Sequence, residues 1–179
     1  MANRFVWFGT EERSRWIRNF VPSDITFLDL KTGRQVQGPS LVALKRDPDA
    51  KKPQTADCCA AVGSAALTYQ DDPDAFVYSP LRHGQVADYT AAVCMFSQLF
   101  RQLRPGRTLW KPIMYVHAQE HTTEVEERAL VDAMLQIGAR RVICYLEPLP
   151  DLLAHVRNGQ RLQNACVLHI EPREERDGT

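Results

Sequence analysis

The stretch KPIMYVHAQEHTTEVEERALVDAMLQIGARRVICYLE, from Lys111 to Glu147, decides the fold. Leu109 to Val116 is an apolar run of strand length, and Arg141 to Tyr145 is a second. Between them Thr123 and Glu126 have the spacing of a capping box, in which each side chain satisfies the other residue's backbone N–H at a helix start. Val125, Ala129, Leu130, Ala133, Met134 and Ile137 supply an apolar face, and Gly138 stands at the C′ position that ends the helix. Strand, helix and strand with almost no spacer form one βαβ unit. Such a unit requires parallel strands with the helix packed across them.

The chain upstream adds strands and a helix to that sheet. Phe5 to Phe8 is a short apolar run that fits a first strand, and Glu11 to Val21 fits a helix with Trp16, Ile17, Phe20 and Val21 on one face. Ile25 to Leu30 is a strand, Lys31 to Arg34 a turn with Gly33 at a positive φ, and Gln35 to Lys45 a returning strand with Gly38-Pro39 as an edge feature. Arg46 to Ala56 has charge, two prolines and no periodicity, so it is an exposed loop. Cys58 to Tyr69 fits a short strand or a short helix, and Phe76 to Tyr78 a short strand. Asp88 is an N-cap for a helix whose face runs through Ala92, Met95, Phe96, Leu99, Phe100 and Leu103, ended by Pro105-Gly106. Downstream, Pro150 to Arg157 is a short helix, Ala165 to Ile170 a last strand, and EPREERDGT a charged tail. The organisation expected is an extension over 1–22, one lobe over 23–170 and a tail over 171–179.

Basic and acidic residues balance at 22 each, so no bulk attraction to a phosphate backbone exists and nucleic acid is not an expected partner. The five cysteines are odd in number, and Cys94, Cys144 and Cys166 sit within apolar runs as core residues. With no signal peptide and no run of about 18 apolar residues, a reduced cytoplasmic protein is expected.

Taken in order the elements read β-β-β, loop, helix, β, helix, β, helix, β. Four runs carry a family resemblance: GPSLVALKRD at 38–47, AAVGSAA at 60–66, SPLRHGQVADYTAAVCMF at 79–96 and TTEVEERALVDAMLQIGARRVICYLEP at 122–148. They resemble, in that order and nearly without gaps, successive runs of the MreB family, the bacterial actins that determine rod shape. The resemblance implies an actin-like ATPase lobe with a ribonuclease H-like α/β fold, its mixed sheet in β-β-β-α-β-α-β order with flanking helices. It also implies where nucleotide would sit. The family grips phosphates with two glycine turns, each preceded by an aspartate that holds the metal through water. Here Gly9-Thr10 keeps the glycine and threonine but has Trp7 where the aspartate belongs, and Asp29 with Thr32 has Lys31 in place of glycine. The second turn falls at His169 to Arg173, where Glu171 would repel phosphate and Pro172 has no N–H to offer. Of the family's acidic pair before proline, Glu147 remains. Gly9, Thr10, Asp29 and Glu147 are therefore the candidate nucleotide contacts. Losing several phosphate hydrogen bonds, each worth about 1.5–3 kcal/mol, leads to the expectation of a single-lobe relative that is no enzyme and carries no cofactor or metal.

Other chemistry is thin. His117 and His121 flank Glu120, but the order is not H-E-x-x-H and they leave a strand for a helix cap, so solvated loop histidines are expected rather than zinc ligands. Adjacent Cys58 and Cys59 chelate one metal poorly, and no Ser-His-Asp pattern occurs. Surface residues suited to contacts are Arg82 and His83 in a turn before the Asp88 cap, Glu124 and Glu127 at an acidic helix start, and Trp16 and Phe20 on the first helix. The expected function is binding of cytoskeletal, cell-shape or division components, MreB among them, or of a second copy of the chain. Two alternatives stand beside it: a residual nucleotide site completed by a partner chain, with Asp29 and Glu147 holding a metal, and an adaptor touching the inner membrane peripherally through the Glu11–Val21 helix.

Overall fold

The computed structural model describes residues 22–45, 59–105, 111–117, 122–158 and 164–172, with the side chains of 155–158 outside that set. A five-stranded mixed sheet is its frame. β1 (Asp24–Asp29) turns back into β2 (Gln35–Pro39), β8 (Ile113–His117) and β9 (Arg141–Tyr145) are the parallel pair, and β10 (Ala165–Glu171) is the last strand. The order across the sheet is β2-β1-β10-β8-β9. β10 runs parallel to β8 and antiparallel to β1, so the last strand made lies at the centre.

The βαβ unit forms as its sequence dictates. Thr123 Oγ1 accepts from Glu126 N–H at 3.4 Å, and Glu126 Oε2 accepts from Thr123 N–H at 2.9 Å, which opens α2 (Glu124–Gln136). The helix closes when Ala139 N–H donates to Met134 O and Gly138 N–H to Leu135 O, a Schellman pair that needs the φ of 116° at Gly138. Its buried residues are Leu130, Ala133 and Met134, whereas Val125 is 79% exposed. The apolar face expected from Val125 onward therefore starts later in the helix, without Val125. At 3.6 residues per turn Val125 lies about 140° around the helix from Leu130.

α1 (Tyr89–Leu103) is capped by Asp88, whose Oδ1 accepts from Ala91 N–H at 3.1 Å. It lays Ala92, Met95, Phe96, Leu99 and Leu103 on the sheet face formed by Ile25, Phe27, Met114, Val116, Cys166, Leu168 and Ile170. Phe27 meets Phe96 edge-on, with ring centroids 6.1 Å apart. α2 packs on the same face, and α3 (Leu149–Asn158) covers the other with Leu149 and Leu152 against Tyr115, Tyr145 and Val167.

The segment expected as one strand from Gln35 to Lys45 is two. Ser40 N–H donates to Ser23 O at 2.7 Å and Leu41 N–H to Pro39 O at 2.8 Å, so the chain leaves the large sheet after Pro39. It re-enters a three-stranded antiparallel sheet as β3 (Val42–Lys45), between β4 (Cys59–Val62) and β5 (Ala75–Tyr78). A 3-10 helix over Gly63–Tyr69 follows β4, so the Cys58–Tyr69 stretch holds both a strand and a helix. β6 (Leu81–Arg82) and β7 (Gln85–Val86) form a tight hairpin with His83 at φ 51°. The expected strand at Phe5–Phe8, the helix at Glu11–Val21 and the whole Arg46–Ala56 loop lie outside the described residues.

Candidate functional site

The connections around β8 define where a ligand would sit. β8 leads through α2 to β9 on one side, and β9 returns through α3 to β10 on the other side of β8. The two crossover helices lie on opposite faces. The β8/β10 junction is thus a topological switch point, and open α/β sheets take ligands outside the carboxyl ends of the strands at such a point. The residues at that edge are His117 on β8, Tyr145 on β9, and His169 and Glu171 on β10.

His117, His169 and Tyr145 form a lateral row. Leu168 pairs with Val116, which places His169 beside His117, and His117 pairs with Tyr145. The imidazole centroids are 4.6 Å apart, and the His117 ring is 5.2 Å from the Tyr145 ring. Three atoms of the row are buried with no hydrogen-bond partner among the described residues: His117 Nδ1, His169 Nδ1 and Tyr145 Oη. Burial, with the neighbouring His169 second, holds the His117 imidazole below the ordinary histidine range, and burial pushes the Tyr145 phenol up. The expectation for His117 of a solvated loop histidine fails because β8 extends one residue further than Val116. His121 lies outside the described residues.

Asp29 and Glu147, taken together as metal holders, lie at opposite ends of the sheet. The register runs Asp29–Cys166–Met114–Val142, and Glu147 follows Val142 by five positions. That is roughly 16 Å along the strand axis alone, because β1 is antiparallel to its neighbours. Asp29 is already engaged: Oδ1 accepts from Lys31 N–H at 2.9 Å and Thr32 N–H at 3.1 Å, and Oδ2 lies 3.2 Å from Arg104 Nε. Arg104 Nη2 donates to Asn164 Oδ1 at 3.0 Å, and Asn164 Nδ2 to Lys111 O at 2.9 Å, which ties the start of β10 to the start of β8. Asp29 is a strut at the far edge. Glu147 is exposed beside Leu146, which is 63% exposed.

Arg82 and His83 are exposed on the β6–β7 hairpin. Glu124 is exposed on the first turn of α2 and Glu127 is half-buried, near enough to Cys144 that burial and then its carboxylate push that thiol up to about 11. Cys94 and Cys166 are buried, as expected, and Cys144 half-buried. Gly9, Thr10, Trp16 and Phe20 lie outside the described residues. Among the described residues no three imidazole, thiol or carboxylate groups gather into a metal cluster, and no helix is long and apolar enough to cross a membrane.

This sheet order, with α1 and α2 on one face and α3 on the other, is that of an actin-like lobe, and solved structures agree. MreB5 of Spiroplasma citri bound to ADP superposes with a TM-score of 0.50 at 23% identity, over 68% of this chain and 38% of that one. The same protein bound to AMPPNP gives 0.51 at 24%, with the same coverage. The MamK double helical filament gives 0.55 at 15%, over 73% of this chain and 39% of that one. The chain belongs to the MreB/Mbl protein family, whose model matches residues 28–155. No curated protein sequence matches it significantly. The chain spans about 38% of the length of the MreB5 structures.

The expectation that the chain is no enzyme is corrected by its membership in the MreB/Mbl protein family and its likeness to MreB5 of Spiroplasma citri, a protein solved with ADP and with AMPPNP bound. That expectation rests on side-chain patterns of two glycine turns, the first at Gly9-Thr10 or Asp29 to Thr32 and the second at His169 to Arg173. Backbone N–H groups at strand ends and helix starts also bind phosphate, and they carry no side-chain signature.

Proposed function

We propose that this protein is an actin-like component of a bacterial filament system, which docks on filaments of its own family and responds to adenine nucleotide. The observation that carries the proposal is the family match over residues 28–155 together with the switch-point edge at β8/β10. Residues 23–170 form the lobe, with 1–22 and 171–179 as extensions. Nucleotide lies against the carboxyl ends of β8, β9 and β10, and a second lobe, from another chain or from further sequence, closes over it. The filament partner is MreB or another cell-shape or division protein, or a second copy of the chain.

The docking surface comprises the exposed Arg82–His83 hairpin and the acidic start of α2 with Glu124 and Glu127. The work is done in the cytoplasm, with peripheral contact to the inner membrane through Trp16 and Phe20. The test is co-sedimentation with filaments of a family member, alone and with Mg-ATP or Mg-ADP, alongside phosphate release. Nucleotide-dependent pelleting that Arg82→Glu weakens is expected. Pelleting that ignores nucleotide, with no phosphate released in the mixture, would refute the proposal. Liposome flotation with and without residues 1–22 checks the membrane contact.

A further inference from the structure

Two cysteines from separate elements meet where the three-stranded sheet packs on the main lobe. Cys59 opens β4, and Cys94 lies in α1. Val42, Leu44 and Val62 of the small sheet share one apolar cluster with α1, which draws β4 and the helix together. Cys94 and Gln98 are four residues apart, on one side of α1. The Gln98 side chain spans both cysteines: its Nε2 donates to Cys59 O at 3.2 Å and to Cys94 Sγ at 4.0 Å. The Cys59 and Cys94 thiols are hydrogen-bonded to each other, and Cys59 Sγ also donates to Ala61 O at 3.8 Å. Cys59 is half-buried and Cys94 is buried. One thiol is therefore within reach of a solute, and the second stands behind it.

We propose that Cys59 and Cys94 are a redox modification site, closing to a reversible disulfide that fastens β4 to α1. The oxidant is a low-molecular-weight disulfide of the glutathione class. The Cys59 thiolate attacks one of its sulfurs, and one small thiolate leaves. Cys94 then loses its proton and attacks Cys59 Sγ, expelling the second small thiolate. Two protein thiols become one protein disulfide while one small disulfide becomes two small thiols, a transfer of two electrons and two protons. The hydrogen bond to Cys94, and then burial, push the Cys59 thiol up, so thiolate is scarce at neutral pH and the bond forms slowly. In a reducing compartment such a bond is transient and reports oxidation instead of holding the fold. Its chemistry is independent of nucleotide and of filament docking.

The test incubates the full chain with oxidised glutathione at pH 8.5, blocks remaining thiols with N-ethylmaleimide, and maps unreduced tryptic peptides by mass spectrometry. A peptide pair joined through Cys59 and Cys94 is expected, and dithiothreitol should separate it. The oxidised chain should melt higher than the reduced chain, by roughly 5–15 °C, because the bond closes a long loop in the unfolded state. Cys59→Ala and Cys94→Ala should each abolish the link, and Cys58→Ser should keep it. Melting of each variant under dithiothreitol shows whether it still folds. Cys59 left free or carrying only glutathione in the wild-type chain overturns the proposal. So does a link that survives Cys59→Ala, or a linked chain that melts no higher than the reduced one.

Discussion

Replacing Asp29 with alanine separates a strut from an unused catalytic acid. The carboxylate accepts two turn N–H groups and pairs with Arg104, and the two side chains are 5% and 13% exposed. Removing one partner of a buried ion pair strands the other charge, at a cost of about 3–5 kcal/mol. The two turn bonds are worth about 0.5–1.5 kcal/mol each, but Lys31 and Thr32 are exposed and water replaces much of that. Urea unfolding at neutral pH should therefore show a loss of about 3–5 kcal/mol, dominated by the ion pair. Arg104→Met removes the stranded charge, so the double variant should be more stable than the sum of the single losses predicts. A coupling of at least about 1 kcal/mol is expected. Asp29→Ala costing under about 1 kcal/mol, with an additive cycle, would refute the strut. A catalytic acid gives the reverse pattern, with stability kept and nucleotide turnover lost.

Three further outcomes follow from packing and burial. Phe27, fully buried against Phe96 and Phe100, should cost about 3–5 kcal/mol when cut to alanine, measured by urea unfolding. His117 has a folded-state pKa held below its unfolded value, so the unfolded chain takes up more protons between the two. Stability should fall as pH drops below about 6.5, and His117→Gln should flatten that slope in melting curves across pH 5–8. Val125→Lys should change stability by no more than about 0.5 kcal/mol, since the side chain is 79% exposed, and a loss like that of Leu130→Ala would restore Val125 to the core.

The parts of the fold legible in the sequence are those fixed by near neighbours. The Thr123–Glu126 box, the Asp88 cap and the Gly138 ending are satisfied within a few residues, so spacing alone reveals them. The division of Gln35–Lys45 was hidden because Ser40 is held by Ser23 and Ser79, distant in sequence. Gly9, Thr10, Trp16 and Phe20 were legible as motifs, but lie outside the described residues. Of the candidate site, the strand ends were legible and the row was not. Its one available signal was strand parity: His117 alternates with buried Val116, and His169 with buried Leu168 and Ile170, so both had to face away from the main core. Nothing in the order of the chain shows that β10 returns beside β8.

That return explains how the edge can depart from the family's glycine-turn pattern while the fold persists. Along β10, Cys166, Leu168 and Ile170 point into the core shared with α1 and α2, and Val167 and His169 point toward the face of α3. The two-residue period of a strand separates these sets. Substitution at His169 or Glu171 leaves the Phe27–Phe96 core untouched, because each core contact is made by the alternate residue. The frame is held at the opposite edge by Asp29, Arg104 and Asn164, roughly 10 Å from His169 and roughly 16 Å from Glu171 along the strands. A sheet built in this way tolerates new chemistry at the carboxyl ends of its strands. The His117–His169 pair stands there, on the side of β10 that the main core does not need.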